Sequence, residues 1–340
     1  MHQHGLFDVQ LRHEKIKKYA TMLDQLNSLI DWEDFRQTLE TIRNKERKSN
    51  AGRKPFDVVL MFKILVLQSL YNLSDAQMEF QITDRFSFMA FLNLNLNDRV
   101  PDEKTIWLFR EELTKAELIK PLFDQFEQVL SANGFAAQKG QIVDATIVSA
   151  PKQRNSREEN KQIKEGDVPE AWDSKPNKKR QKDTDARWTK KRNVTYFGYK
   201  NHVNIDVEHK FIREFEVTSA SVHDSQVVKE IIDHDNSGED FLADGAYVGQ
   251  EISDALEAAG LKNCINEKGY RNHPLTEEQK ASNRAKSKIR SRVEHVFGVQ
   301  SQRAGSLLLR SIGIVRAKTK IGLRNLSYNL SRYAILSKGG

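Results

Sequence analysis

Residues Gln141–Pro151 read QIVDATIVSAP, and the reading of that stretch decides the fold. Aliphatic and β-branched residues fill it, so it reads as a buried strand. Asp144 interrupts it. An ionised carboxylate among apolar neighbours is tolerated only when it is paired or holds a metal. The same anomaly recurs in FLADGAYVG, which contains Asp244, and a third acid, Glu294, lies in the basic stretch KIRSRVEHVFG. Two strand carboxylates and one on a helix are the ligand set of a two-metal phosphoryl-transfer site, because hard cations such as Mg²⁺ prefer carboxylate oxygens. Each acid also has a plainer reading. Asp244 before Gly245 reads as a turn residue, Glu294 as a solvated helix residue, and Asp144 as half of an internal salt bridge.

Downstream of this strand the pattern continues through VTYFGYKNHVNIDV and KFIREFEVTSASV as strands. DSQVVKEIIDH then reads as a helix, DFLADGAY as a strand, GQEISDALEAAG as a helix and KNCIN as a short strand. A long basic helix runs from about Thr276 to Gln302. A three-strand meander followed by alternating helices and strands predicts an α/β fold, a mixed sheet flanked by helices in the RNase H-like order. That order sets the first and fourth strands side by side, which brings Asp144 and Asp244 together, and the last helix can carry Glu294 to them. The basic, aliphatic-poor stretch at about 151–192 predicts a mobile or partly disordered loop.

Upstream, the chain reads as helical to about Leu130. Arg53-Lys54-Pro55 is a basic turn that opens the apolar helix from Val58 to Tyr71. Ser74 and Gln77 have capping-box spacing and open another helix. Two helices joined by a short turn resemble a helix-turn-helix or, equally, two core helices of a bundle. The expected division is a helical N-terminal domain for DNA binding or dimerisation at 1–135, and a catalytic domain at 136–335. Over 340 residues the net charge is +7, which favours a polyanionic partner, nucleic acid first. The single cysteine, Cys264, excludes an internal disulfide, and no Cys/His cluster has zinc-site spacing. The apolar run Val58–Tyr71 falls short of the roughly 20 residues of a membrane span, and the N-terminus lacks the form of a signal peptide. A cytoplasmic protein with no membrane partner is expected.

Arg290 precedes Glu294 by four residues, so both fall on one face of the expected helix. They read as a supporting Arg–Glu pair, or as a site in which Arg290 contacts a DNA phosphate with Lys288 and Arg292 beside it. Lys200 belongs to an aromatic–basic cluster in the second strand, and Asp224 reads as a helix N-cap after His223.

Several blocks together resemble a bacterial DDE transposase of the insertion-sequence-five class. VDATIVSAP is similar to the family's first-Asp motif, LADGAYVG to its second-Asp motif, and IRSRVEHVFG to its Arg-x-x-x-Glu signature. TYFGYKNHVNID, SASVHDS and the N-terminal DRFSFMAFLNL…VPDEKTIWLFREEL also resemble family segments, in the right order. The resemblance implies a catalytic triad and metal site of Asp144, Asp244 and Glu294 using Mg²⁺, with Mn²⁺ able to substitute, and makes Arg290 the signature arginine. It implies a nucleoid-associated protein that binds terminal inverted repeats and target DNA as double-stranded partners, in a homodimeric paired-end complex. The wider signature has Tyr and Lys where this chain has Ser287 and Ser301, and Arg303 is the candidate replacement for the lysine's phosphate contact. The alternatives are an RNase H-like nuclease without strand transfer and a catalytically dead DNA-binding regulator.

Overall fold

The computed structural model describes residues 8–19, 21–43, 53–191, 193–305 and 308–338. They divide into two compact units, Met1–Val129 with Gly322–Gly340, and Leu130–Ile321.

The first unit is helical. Its first two helices are α1 (Asp8–Lys17) and α2 (Met22–Leu29). Thr21 separates them because it forms a capping box with Asp24 and so starts α2 afresh. A 3₁₀ turn at Trp32–Phe35 leads into α3 (Arg36–Glu40). Asp57 caps α4 (Val58–Tyr71) by accepting from Val59 and Leu60 N–H. Asn72 ends that helix in the left-handed region, at φ 50°. The Ser74–Gln77 capping box opens α5 (Asp75–Asp84), as read from the sequence. Then follow α6 (Phe86–Leu92), α7 (Glu103–Lys115) and α8 (Ile119–Ala132). Apolar on every side, α4 is buried along almost its whole length, as a core helix must be. No single helix among the described residues is long and apolar enough to cross a membrane.

The second unit carries the sheet. Its elements are β1 (Gln141–Ser149), α9 (Arg157–Glu165), α10 (Pro176–Arg180), β2 (Arg187–Lys191), β3 (Val194–Asp206) and β4 (Ile212–Ser219). They continue with β5 (Asp240–Leu242), α11 (Gln250–Ala258), β6 (Lys262–Asn263), α12 (Glu277–Arg290) and α13 (Arg292–Ala304). The strand path runs β2-β3-β1-β5-β6, with β2 on the start of β3, and β4 pairs with β3 off that path. Pairing is antiparallel between β4, β3 and β1 and parallel between β1, β5 and β6. This is the expected mixed RNase H-like sheet, with the first strand and β5 adjacent. At Gly198 (φ +153°) β3 comes so close to β1 that a Cβ would lie 2.2 Å from the Val148 carbonyl oxygen. Only glycine fits there.

Several local expectations need correction. The stretch from 151 to 191 is ordered into α9, α10, β2 and a 3₁₀ turn at Glu170–Trp172. Its low average hydrophobicity hides one anchor. Trp172 is fully buried and donates from Nε1 to Glu159 Oε1 at 2.6 Å, while Lys178 lies 5.5 Å over its ring. The helix expected at DSQVVKEIIDH is a 3₁₀ segment, Asp224–Glu230, capped by His223 rather than Asp224. The long basic helix is broken at Ser291 into α12 and α13. A further helix, α14 (Ile314–Leu336), starts in the second unit and ends in the first. From Gly322 onward it belongs with the helices, where Tyr333 meets Phe126 at 6.0 Å and Asn329 donates to Glu127. The residues at 322–335, expected with the catalytic domain, therefore group with the helical unit.

Candidate active site

Asp144 sits mid-way along β1, opposite Val203 of β3. Its side chain is only 14% exposed. Oδ1 accepts the Ala145 N–H at 2.8 Å, and Oδ2 accepts from Arg290 Nη1 at 3.1 Å. Burial pushes its carboxyl up to about 6, against the opposing pull of the Ala145 N–H, Arg290 and Lys191. The nearby Asp244 charge pushes in the same direction as burial. The pair with Arg290 therefore compensates this charge only in part.

Asp244 lies two residues beyond β5. The parallel register pairs Gln141 with Phe241 and Ile142 with Leu242, so continuing it brings Asp244 level with Asp144. Its Oδ1 accepts the Ala246 N–H at 2.8 Å and caps the 3₁₀ turn Gly245–Tyr247. The turn reading and the site reading of this residue hold together, because the turn is what holds the carboxylate at the strand end.

Tyr247, which sequence reasoning passed over, completes the floor of this region. It is 1% exposed, and its hydroxyl is buried without a hydrogen-bond partner among the described residues. Burial raises its phenol well above the usual range, and the charges of Asp224, Asp144 and Asp244 raise it further. Three carboxylates thus act on one buried phenol. Of these, Asp224 accepts from Lys200 Nζ at 2.7 Å, and Lys200 also donates to the Val222 carbonyl at 2.7 Å. His202, fully buried beside them, is held neutral by desolvation and donates to or accepts from Thr218 Oγ1 at 2.9 Å. The only sequence signal for Tyr247 was an aromatic three residues after an acid in an apolar run.

The remaining predicted residues are placed less uniformly. Glu294 is exposed in the first turn of α13, while Arg290 ends α12, so the break at Ser291 takes the two off one continuous helical face. Among the described residues no group of three or more His, Cys, Asp or Glu side chains is gathered as metal donors. Asp144 and Asp244 nevertheless fit a hard divalent ion, since Mg²⁺ commonly takes one or two carboxylates and fills its shell with water and substrate phosphate. Lys200 is committed to Asp224 and is 13% exposed, so it offers little to DNA. Arg292 donates to the Val207 carbonyl, whereas Lys288, Arg53 and Lys54 are exposed. The Arg303 side chain lies outside the described residues. At the position of the absent signature tyrosine, Ser287 Oγ accepts from Asn266 Nδ2 at 3.0 Å and ties α12 to the segment after β6.

A sheet in this order, with two carboxylates level across its parallel central pair, defines an RNase H-like catalytic fold. The chain belongs to the Transposase DDE domain family, whose model matches residues 136–330. A second family model, Transposase domain (DUF772), matches residues 11–112. The protein is thus a DNA transposase of the DDE class. Among solved structures, the chain is similar to a piggyBac transposase synaptic complex with hairpin DNA determined by cryo-electron microscopy. The identity is 12% and the TM-score 0.44, with 91% of this chain and 75% of that one covered.

Proposed function

We propose that this transposase binds the terminal inverted repeats of its own element, cleaves the DNA at their ends and transfers the freed 3′-hydroxyl to target DNA. The observation that carries this reading is the level placement of Asp144 and Asp244 on β1 and beyond β5 within the family-matched domain. Asp144 and Asp244 would hold the divalent ion, Mg²⁺ or Mn²⁺, with Glu294 of α13, a helix that packs on β1, as third ligand. When bound, the ion supplies Lewis-acid stabilisation of charge at phosphorus and a lower pKa for the attacking hydroxyl. The chain's own residues do the rest. Arg290 limits the mutual repulsion of the carboxylates before substrate arrives, and is placed to shift toward a phosphate when it does. Lys191, whose charge already acts on Asp144, adds to the positive field that draws the DNA backbone in. Water attacks the end phosphate first, and the P–O3′ bond breaks to leave a 3′-hydroxyl. That hydroxyl then attacks a target phosphate in line, with the target 3′-oxygen as leaving group.

Exposed basic residues, Lys288, Arg53 and Lys54 among them, contribute non-specific phosphate contacts. Two ends must be cut and joined together, which favours a homodimer on paired ends. In the direct test, Asp144→Ala and Asp244→Ala are each assayed for cleavage of duplexes carrying the element's own ends. Cleavage should fall at least a thousandfold, on the order of the loss seen when a principal catalytic group is removed, while end binding is largely kept. Undiminished cleavage by either variant removes that residue from the site. Joining of a pre-cut end to plasmid separates a transposase from a nuclease that only cuts.

A further inference from the structure

The segment after β6 runs beside the site, and no step described so far uses it. Cys264 N–H donates to the Phe241 carbonyl at 2.9 Å and Asn266 N–H to the Ala243 carbonyl at 3.1 Å, so the parallel β5–β6 pairing extends past the strand ends. That register, Asp240 with Lys262 and Phe241 with Asn263, brings Asn266 level with Asp244. Lys268 follows two residues later. A Cβ on Gly245, the residue after Asp244, would lie 3.6 Å from Lys268 Cβ and 4.0 Å from its Cγ. The root of this lysine is therefore within van der Waals reach of the turn that holds the second carboxylate, and its flexible stem carries the ammonium further.

The backbone that presents Lys268 is braced. Asn283 of α12 accepts the Glu267 N–H at 2.9 Å and donates to the Glu267 carbonyl at 2.9 Å, while Lys286 Nζ donates to the Ile265 carbonyl at 3.1 Å. Gln279 donates to the Glu267 carboxylate, so the acid next to Lys268 is engaged elsewhere. The same helix ends at Arg290, which reaches Asp144. One helix thus anchors both the lysine segment and a site carboxylate. Lys268 itself is exposed, and among the described residues nothing pairs with its ammonium. Most exposed lysines are merely solvated. This one is rooted against the Asp244 turn without pairing to Asp244, which leaves its charge for an anion that the substrate brings. A DNA strand with one phosphate at Asp144 and Asp244 brings such anions at every nucleotide.

We propose that Lys268 is a positioning residue that grips the scissile phosphate, or one of the two beside it, on the strand held at Asp144 and Asp244. The proposal rests on the transposase reading of that site, and it is tested by binding rather than by cleavage. The full chain carrying Asp144→Asn is titrated with element-end duplexes in which each of those phosphates in turn is replaced by an uncharged methylphosphonate. One replacement should weaken binding about tenfold with Lys268 present, and less than about twofold once Lys268→Gln is added. On the unmodified duplex, Lys268→Gln should also lower the slope of log affinity against log salt by about one unit. Lys268→Arg, which keeps the charge, should keep both responses. Lys280→Gln removes an equal charge from an exposed lysine of α12 and should leave the methylphosphonate pattern unchanged. The same pattern with and without Lys268 overturns the proposal while leaving end binding in place. Insensitivity to all the replacements with Lys268 intact overturns it too, and needs no Lys268 variant to fold. Failure to bind the unmodified duplex overturns the transposase reading as well.

Discussion

At the scale of single residues, Asp144 is the costly one. Its native carboxyl titrates near 6 against an ordinary value of 3.8, because burial outweighs the help from Ala145 and Arg290. Between those values the native state holds more protons than the unfolded chain, so stability falls as pH rises through that window. At pH 7 and without divalent ions the charge costs about 3 kcal/mol. Asp144→Asn should therefore raise Tm at pH 7 in chelator, and the gain should shrink toward zero by about pH 4. A gain that stays constant with pH would show that the carboxylate's charge is not the source of it.

At the scale of elements, α4 and its neighbours show how the helical unit is joined. Arg110 of α7 donates to Asp75 at 2.7 Å and to Gln68 at 2.8 Å, so one guanidinium links α4, α5 and α7. It is 9% exposed on its side chain, and its removal takes the guanidinium from a quarter-exposed Asp75 that keeps the Gln68 amide at 2.7 Å. Arg110→Ala should destabilise the chain by about 1.5–3 kcal/mol in urea unfolding. A loss below 1 kcal/mol would mean that the network is incidental. Lys63 within α4 works the other way. Burial lowers its ammonium to about 8 from 10.5, with Trp32 and Phe91 rings 5.3 and 4.6 Å from Nζ. In that interval the unfolded chain binds more protons, so stability rises with pH from about 8 upward. Lys63→Met should stabilise at pH 7 by up to about 3 kcal/mol, less the lost cation–π attraction, and its advantage should narrow by pH 10. An advantage equal at both pH values would remove the charge from the explanation.

At the scale of the whole molecule, the proposed chemistry needs two DNA ends. Mass measurement of the protein on duplexes carrying the terminal repeats should give two protomers with two duplexes. A complex of one protomer on one end, equally active in joining, would overturn the dimer. With exposed lysines and arginines supplying non-specific contacts, as proposed, binding should weaken steeply between 50 and 200 mM salt, by about tenfold or more.

Much of this architecture was legible residue by residue. Asp144 inside an aliphatic run pointed to a strand, and the order of strands and helices pointed to the RNase H-like sheet. The Ser74–Gln77 capping box was readable because caps are local hydrogen bonds between residues three apart. The ordering of residues 151–191 was not readable, because it depends on Trp172 meeting Glu159 and on β2 finding β3. The break at Ser291 was equally hidden, since nothing in KIRSRVEHVFG forbids a continuous helix. What the sequence by itself determined is the set of chemical groups and the elements that bear them, because periodicity, caps and turns are short-range. Only the tertiary structure decided which groups meet. Asp144, Asp244, Tyr247 and Arg290 converge through the β1–β5 register and the packing of α12, whereas Glu294 is exposed in the first turn of α13. Such proximities arise from burial and pairing between residues a hundred or more positions apart, which no local pattern records.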